Sequence, residues 1–112
     1  MSTPYRNTSL NATAALVLGN RVKLHSLHVD NSANSAKSYL QLYDAAAAAD
    51  VTVGTTTPDK TLFVPASGAM DFNWGKEPIK FSRGLVIAAT TTVGGNTNPA
   101  SAVLVNADYE RM

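Results

Sequence analysis

The chain has 112 residues, a formal net charge of +1 and no cysteine. This length predicts a single domain, and an even charge balance without a Lys/Arg cluster argues against nucleic acid or a membrane surface as partner. Without cysteine, neither disulfides nor thiolate metal sites can stabilise the fold.

Only 15% of the residues are charged, whereas an ordinary soluble domain has about 25%. Ala, Thr, Ser and Asn make up the difference. A folded protein of this mass exposes on the order of 5,900 Å², so two or three contacts of about 800 Å² each would cover up to about 40% of it. The composition therefore indicates a protein that assembles with others. A free-standing β-sandwich with Thr-rich outer faces is the alternative.

The N-terminal segment, residues 1–12, is polar and aperiodic, which predicts an extended arm that becomes ordered on contact with a partner, not a strand. A first strand is predicted over residues 13–18. The following Gly19-Asn20 is typical of a two-residue hairpin link to a second strand that starts at Arg21.

The second strand changes parity along its length. Val22 and Leu24 share one face, whereas Leu27 and Val29 would fall on the other, so we expect a β-bulge near residues 25–26. The strand then ends in a polar loop over residues 30–35.

Alternation returns between Ser38 and Asp44. Leu40 and Leu42 are expected to face the core, which leaves Tyr39 and Tyr43 on the outer face. This tyrosine pair is either a contact surface or ordinary cross-strand packing. The alanines that follow, residues 45–49, are too few to nucleate a helix and predict a loop with about one helical turn.

The second half of the chain contains five more apolar segments bounded by Gly, Pro, Asp or Asn. They predict strands over residues 60–64, 70–74, 79–81, 85–89 and 102–109. The sequence thus predicts an all-β fold: an eight-stranded antiparallel β-sandwich of the jelly-roll type, with residues 13–112 as one domain after the arm.

No motif in the sequence indicates catalysis. His25, His28 and Asp30 are the nearest approach to a metal cluster, but a spacing of three puts the two rings on opposite faces of a regular strand. No Gly-x-Ser-x-Gly elbow or phosphate-binding loop is present. We therefore predict that the protein is not an enzyme and has no catalytic residue, cofactor or metal.

Several short runs resemble those of small virion proteins of tailed bacteriophages. They are LHVDNSA (27–33), YLQLYD (39–44), VGTTTPD (53–59), VPA (64–66) and FSRGL (81–85). The resemblance covers most of the chain from Leu24 to Tyr109. It implies a jelly-roll decoration, or cement, protein that binds the major capsid protein on the outside of an icosahedral shell. Such a protein is assembled in the host cytoplasm and carried on the virion surface.

These observations predict a structural protein that attaches to the capsid and to its own copies, as a dimer or trimer. The candidate contact residues are Pro4, Tyr5, Arg6 and Leu10 in the arm, with Tyr39 and Tyr43. No secretory signal and no apolar stretch of membrane-spanning length is expected. The alternatives are a neck part or a tail or fibre module, the latter binding host carbohydrate.

Overall fold

The structure, a computed structural model, describes residues 2–112. Within this range, nine β-strands alternate with turns and loops. The strands are β1 (Thr3–Leu10), β2 (Ala15–Leu18), β3 (Val22–Asp30), β4 (Ser38–Asp44), β5 (Lys60–Val64), β6 (Ala69–Asn73), β7 (Ile79–Phe81), β8 (Leu85–Thr90) and β9 (Val103–Arg111). A single 3-10 turn, Ala48–Asp50, lies in the long connection between β4 and β5. The loop with about one helical turn is therefore confirmed.

The strands form two antiparallel sheets. Sheet A has the order β1-β9-β3-β6, and β7 also pairs with β3. Sheet B has the order β2-β8-β4-β5. The predicted all-β fold with two sheets is confirmed. The predicted number of eight strands is wrong, because the described chain contains nine.

One apolar core lies between the sheets. It joins side chains of sheet A, such as Val22 and Leu24, to side chains of sheet B, such as Leu40 and Ile87. Strand β8 is buried along its whole length, as the continuous apolar run predicts for a strand in the middle of a sheet.

The bulge predicted in β3 is present. The pairing of β3 with β9 shifts register between Leu24 and Ser26. The extra residue, His25, lets Leu27 and Val29 point to the same core as Val22 and Leu24, although their spacing is odd.

The prediction of an N-terminal arm in place of a strand is wrong for residues 3–10. Residues 3–10 form β1, an edge strand of sheet A that pairs with β9 from Thr3 to Leu10. Main-chain hydrogen bonds to a long neighbouring strand hold this segment, and they require no apolar alternation. Only Tyr5 and Leu10 pack on the core, with a register shift between Asn7 and Leu10 that disguises the period of two.

The predicted hairpin at Gly19-Asn20 is also wrong. Strand β2 pairs with β8 in sheet B, whereas β3 belongs to sheet A. The link therefore carries the chain from one sheet to the other. A Cβ at Gly19 would lie 2.6 Å from the carbonyl oxygen of Ala46, so close approach of the backbone explains the glycine.

At one end of the sandwich, buried asparagines join three loops. Asn31 and Asn34 lie in the β3–β4 loop, and the Asn34 side chain accepts from Ser101 N (2.6 Å) and donates to Ser101 O (3.0 Å). The Asn31 amide donates to Pro65 O at 3.0 Å. These bonds tie the loops after β3, β5 and β8 to one another.

At the other end, Asp44 holds the turn between β7 and β8. Its carboxylate accepts from Arg83 N (2.8 Å), Ser82 Oγ (3.0 Å), Ser82 N (3.3 Å) and Gly84 N (3.4 Å). Burial raises the pKa of this carboxyl, but the hydrogen bonds lower it by more, so the pKa lies below its ordinary value.

A pH dependence follows from this lowered pKa. The contribution of Asp44 to the free energy of unfolding is present above the pKa of the unfolded chain and is lost as the pH falls through the folded-state pKa. We expect Asp44→Asn to destabilise the protein most near neutral pH and progressively less below about pH 4. Urea denaturation of both proteins between pH 2 and 7 measures this difference. A difference that does not change with pH would contradict the role of the Asp44 charge.

Candidate interaction face

The two sheets have very different outer faces. On sheet A, many of the side chains that point away from the core are titratable: Arg6, Lys23, His28, Asp30, Asp71, Lys80, Asp108 and Glu110. Neutral side chains, among them Ser26, Asn73, Leu104 and Asn106, lie between them. Several of the titratable side chains are paired across strands: His28 Nδ1 lies 2.6 Å from Asp71 Oδ1, and His25 Nε2 lies 3.2 Å from Glu110 Oε1. This face is well suited to contact with water.

The corresponding face of sheet B is uncharged in all four strands described. The strand register places on it Leu16, Tyr39, Gln41, Tyr43, Thr61, Phe63, Val86, Ala88 and Thr90. We call this set the sheet B outer face. Apolar and neutral side chains at successive positions of four strands are typical of a face that is covered.

The centre of the sheet B outer face is covered by the chain itself. The connection between β4 and β5 folds back over it, so that Tyr43, Ala45, Val51, Val86 and Ala88 form a second buried apolar cluster. Tyr43 is only 1% exposed. The prediction that Tyr43 offers an outward contact is therefore wrong, because this connection lies over its ring.

A buried polar network continues this covered region. The Gln41 side chain donates to Thr90 Oγ1 (3.0 Å) and Thr92 O (3.4 Å), and it accepts from Thr61 Oγ1 (2.6 Å). With both ends of the amide paired, a fully buried glutamine is tolerated on an otherwise apolar face.

The two edges of the sheet B outer face remain exposed. At the β5 edge, Tyr39 and Phe63 make an edge-to-face contact with ring centroids 5.8 Å apart and an interplanar angle of 65°. Phe63 is 49% exposed, and Leu16 on the opposite edge strand is 43% exposed. We call Tyr39 and Phe63 the aromatic edge. Aromatic side chains at the surface are enriched in protein interfaces.

The structure separates the predicted contact residues. Pro4 and Arg6 are exposed on β1 of sheet A, whereas Tyr39 lies on sheet B. Tyr5 is half-buried and packs against the core. Leu10 is 1% exposed and belongs to the core, so the expectation that it contacts a partner is wrong. The side chain is buried because the bulge in β1 turns it inward.

Phe63 was not among the predicted contact residues. In the segment Lys60–Val64, Leu62 and Val64 share one parity and are buried, which leaves Phe63 outward. The same alternation that assigned Leu40 and Leu42 to the core would have identified it.

The histidines do not converge on a common centre. Each lies beside a carboxylate of a different strand, as described above. Among residues 2–112, no group of three His, Cys, Asp or Glu side chains has an arrangement suitable for a metal ion.

Comparison with models of known protein families, with curated proteins and with solved structures finds no match for this chain. In the part of the chain that the structure describes, no helix has the length and apolarity needed to cross a membrane.

Proposed function

We propose that this chain is a structural virion protein, a decoration or cement protein that attaches to the outside of a capsid shell made of the major capsid protein. The observation that carries the proposal is the contrast between the outer face of sheet A, which has many charged side chains, and the uncharged aromatic edge of sheet B, where Phe63 is 49% exposed beside Tyr39. If sheet A faces the solvent and sheet B faces the capsid, every copy of the protein attaches to the shell in the same orientation.

The strand order supports a fold of the jelly-roll type. Strands β6 and β7 both pair with the same strand, β3, at consecutive segments, and they can be counted as one interrupted strand. Each sheet then has four strands. In the described chain, every connection passes from one sheet to the other except β4–β5 and the short link between β6 and β7. Two interleaved four-stranded sheets are the arrangement expected of a jelly roll, an architecture found in viral capsid domains, and this supports the proposal.

Attachment through the sheet B outer face is consistent with many weak contacts acting together. The exposed apolar area at the aromatic edge is small for one strong interface. Many copies on a repeating shell, or a dimer or trimer that presents several edges at once, would gain affinity through multivalency. The proposed role therefore includes self-association through this sheet and no catalytic step.

A substitution in the aromatic edge tests the proposal. We expect Phe63→Ser to weaken attachment to capsids about fivefold or more, since truncating a residue that anchors an interface costs more than about 1 kcal/mol. Val93→Ser is the matched control, because Val93 is 65% exposed but lies outside the strands, on the loop before β9. Co-sedimentation with purified capsids measures both. Equal attachment of both variants would contradict the role of the aromatic edge.

Copy number separates a shell component from the alternatives. Quantitative gel analysis of purified virions is expected to give hundreds of copies of this chain per particle. About a dozen copies or fewer would indicate a neck or tail part, and absence from the particle would contradict the proposal.

A further inference from the structure

The outer edge of β5 is unlike the other sheet edges of the described chain. A free edge offers unpaired N–H and C=O groups to other extended chains, and proteins commonly block it with proline, charge, short strands or bulges. At the edge of sheet A, β1 contains Pro4 and Arg6 and has a register shift. On the other side of that sheet, residues 74–78, with Gly75 and Pro78, interrupt β6 and β7. In sheet B, β2 has four residues and also shifts register.

Strand β5 is regular and unblocked along its length. It is the edge strand of sheet B next to β4, and it pairs with β4 at five consecutive positions without a register shift. Its one charged residue, Lys60, is at its first position. Pro58 and Pro65 lie just outside its two ends. This edge is therefore open to the addition of another strand.

The direction of the main chain shows which groups of β5 are free. Successive residues of an antiparallel strand direct their N–H and C=O groups to opposite sides. Ala45 N donates to Gly84 O at 3.2 Å, in register with the pairing of β4 and β8. The odd-numbered residues of β4 thus bond to β8, and the even-numbered ones bond to Lys60, Leu62 and Val64. The main chain of Thr61 and Phe63 points to the free edge, where it has no hydrogen-bond partner among residues 2–112.

We propose that β5 pairs with β5 of a second copy of the chain, in an antiparallel dimer whose two-fold axis passes beside Leu62. Thr61 of each copy would lie opposite Phe63 of the other, and each of these two pairs exchanges both N–H···O bonds. The two four-stranded B sheets would become one continuous sheet. This proposal rests on the proposed function only for the statement that sheet B self-associates, and it names the strand and the partner.

A second copy fits this edge because β5 is complementary to itself in that register. Both prolines stay outside the ladder, whereas a shift of two residues places Pro58 or Pro65 opposite a residue of β5. Proline cannot donate to a ladder, so the shifted registers are unfavourable. Lys60 would lie opposite Val64 of the second copy, and no like charges oppose each other. A homodimer built on one strand has the two-fold symmetry that is commonest among oligomers.

The dimer also accounts for the exposed ring at this edge. Phe63 is 49% exposed and contacts Tyr39 on the outer face. In the proposed register, Phe63 lies diagonally across the axis from Phe63 of the second copy, at a distance of about 7–8 Å that aromatic side chains span. The aromatic edges of the two copies would then form one row of rings on the sheet B outer face.

Amide hydrogen exchange of the wild-type protein, measured by NMR in dilute and in millimolar solution, tests the pairing. We expect the amides of Thr61 and Phe63 to exchange at least about fivefold more slowly in the concentrated sample, because only the dimer bonds them. The amide of Leu62 bonds to β4 and should exchange at the same slow rate in both samples. Equal exchange of Thr61 and Phe63 in both samples would overturn the proposal, whether or not the protein dimerises. Protection that requires added capsids would assign the edge to the capsid protein and overturn the second copy as partner.

Two variants test the two-fold geometry. In Phe63→Lys or Phe63→Glu alone, like charges lie diagonally across the axis, so we expect dimerisation at least about tenfold weaker than in the wild type. An equimolar mixture of the two places opposite charges there and should form a heterodimer more readily than either variant forms a homodimer. Analytical ultracentrifugation measures all three. A mixture no more associated than its components would overturn the two-fold arrangement.

Leu16→Lys and Leu16→Glu are the matched controls. Leu16 is 43% exposed on β2, the opposite edge strand of sheet B, so we expect both variants to dimerise like the wild type. Dimerisation that depends on Leu16 and not on Phe63 would place the contact at β2 and overturn the assignment to β5.

The two proposals can fail separately. If the amides of Thr61 and Phe63 are never protected but Phe63→Ser still detaches the protein from capsids, the strand pairing is wrong and the proposed function stands. If β5 pairs as expected and purified virions lack the chain, the dimer stands and the proposed function is wrong.

Discussion

Replacement of Asn31 by alanine is expected to lower the free energy of unfolding by about 4 kcal/mol. The Asn31 side chain is fully buried. It donates to Ala36 O and Pro65 O, each at 3.0 Å, and accepts from Asn34 Nδ2 and Ser38 Oγ, each at 2.8 Å. Alanine would remove the hydrogen-bond partner of all four groups, and two of them, Asn34 Nδ2 and Ser38 Oγ, are buried away from water. Guanidinium or urea denaturation measures the loss.

Asn96→Ala is the control for Asn31→Ala. Asn96 is exposed, and exposed substitutions usually change stability by less than about 0.5 kcal/mol. If both alanine variants lost the same small amount, the buried asparagine network would not be what joins the loops at that end of the sandwich.

Replacement of Gly84 by alanine is expected to destabilise the protein by about 3 kcal/mol or more. A Cβ at this buried position would lie 2.5 Å from the carbonyl oxygens of both Ala45 and Leu18. Neither oxygen is at the end of a flexible side chain, so the backbone itself would have to move. Thermal unfolding followed by circular dichroism measures the effect.

Gly75→Ala is the matched control. Gly75 has a φ of +57° and nothing within 4 Å of an added Cβ, so alanine there has only the left-handed backbone penalty of about 1–2 kcal/mol. We expect a clearly smaller fall in melting temperature than for Gly84→Ala. Equal falls would show that crowding at Gly84 is not the cause.

The core strands are predictable from the sequence because their inward residues repeat every second position. Even the bulge at His25 was predictable, since two halves of one strand with opposite parity can face the same core only if a residue is inserted between them. The edge strand β1 was not. Its main contact is main-chain pairing with β9, and a polar edge strand has the same composition as a flexible arm.

The candidate site was less predictable than the fold. Parity assigned Tyr43 to the outer face correctly, but parity cannot show that residues 45–59 return across that face and bury it. The contrast between the two outer faces depends on the strand register, which joins residues far apart in the sequence. The outward direction of Tyr39 could be predicted from its own strand. That Phe63 lies beside Tyr39 follows only from the pairing of β4 with β5.

The most direct test of orientation is hydroxyl-radical footprinting of the protein free and bound to capsids. Attachment through sheet B predicts that Phe63 and Tyr39 lose reactivity on binding, while His28 on the outer face of sheet A keeps its reactivity. Protection of His28 with Phe63 still reactive would contradict attachment through sheet B.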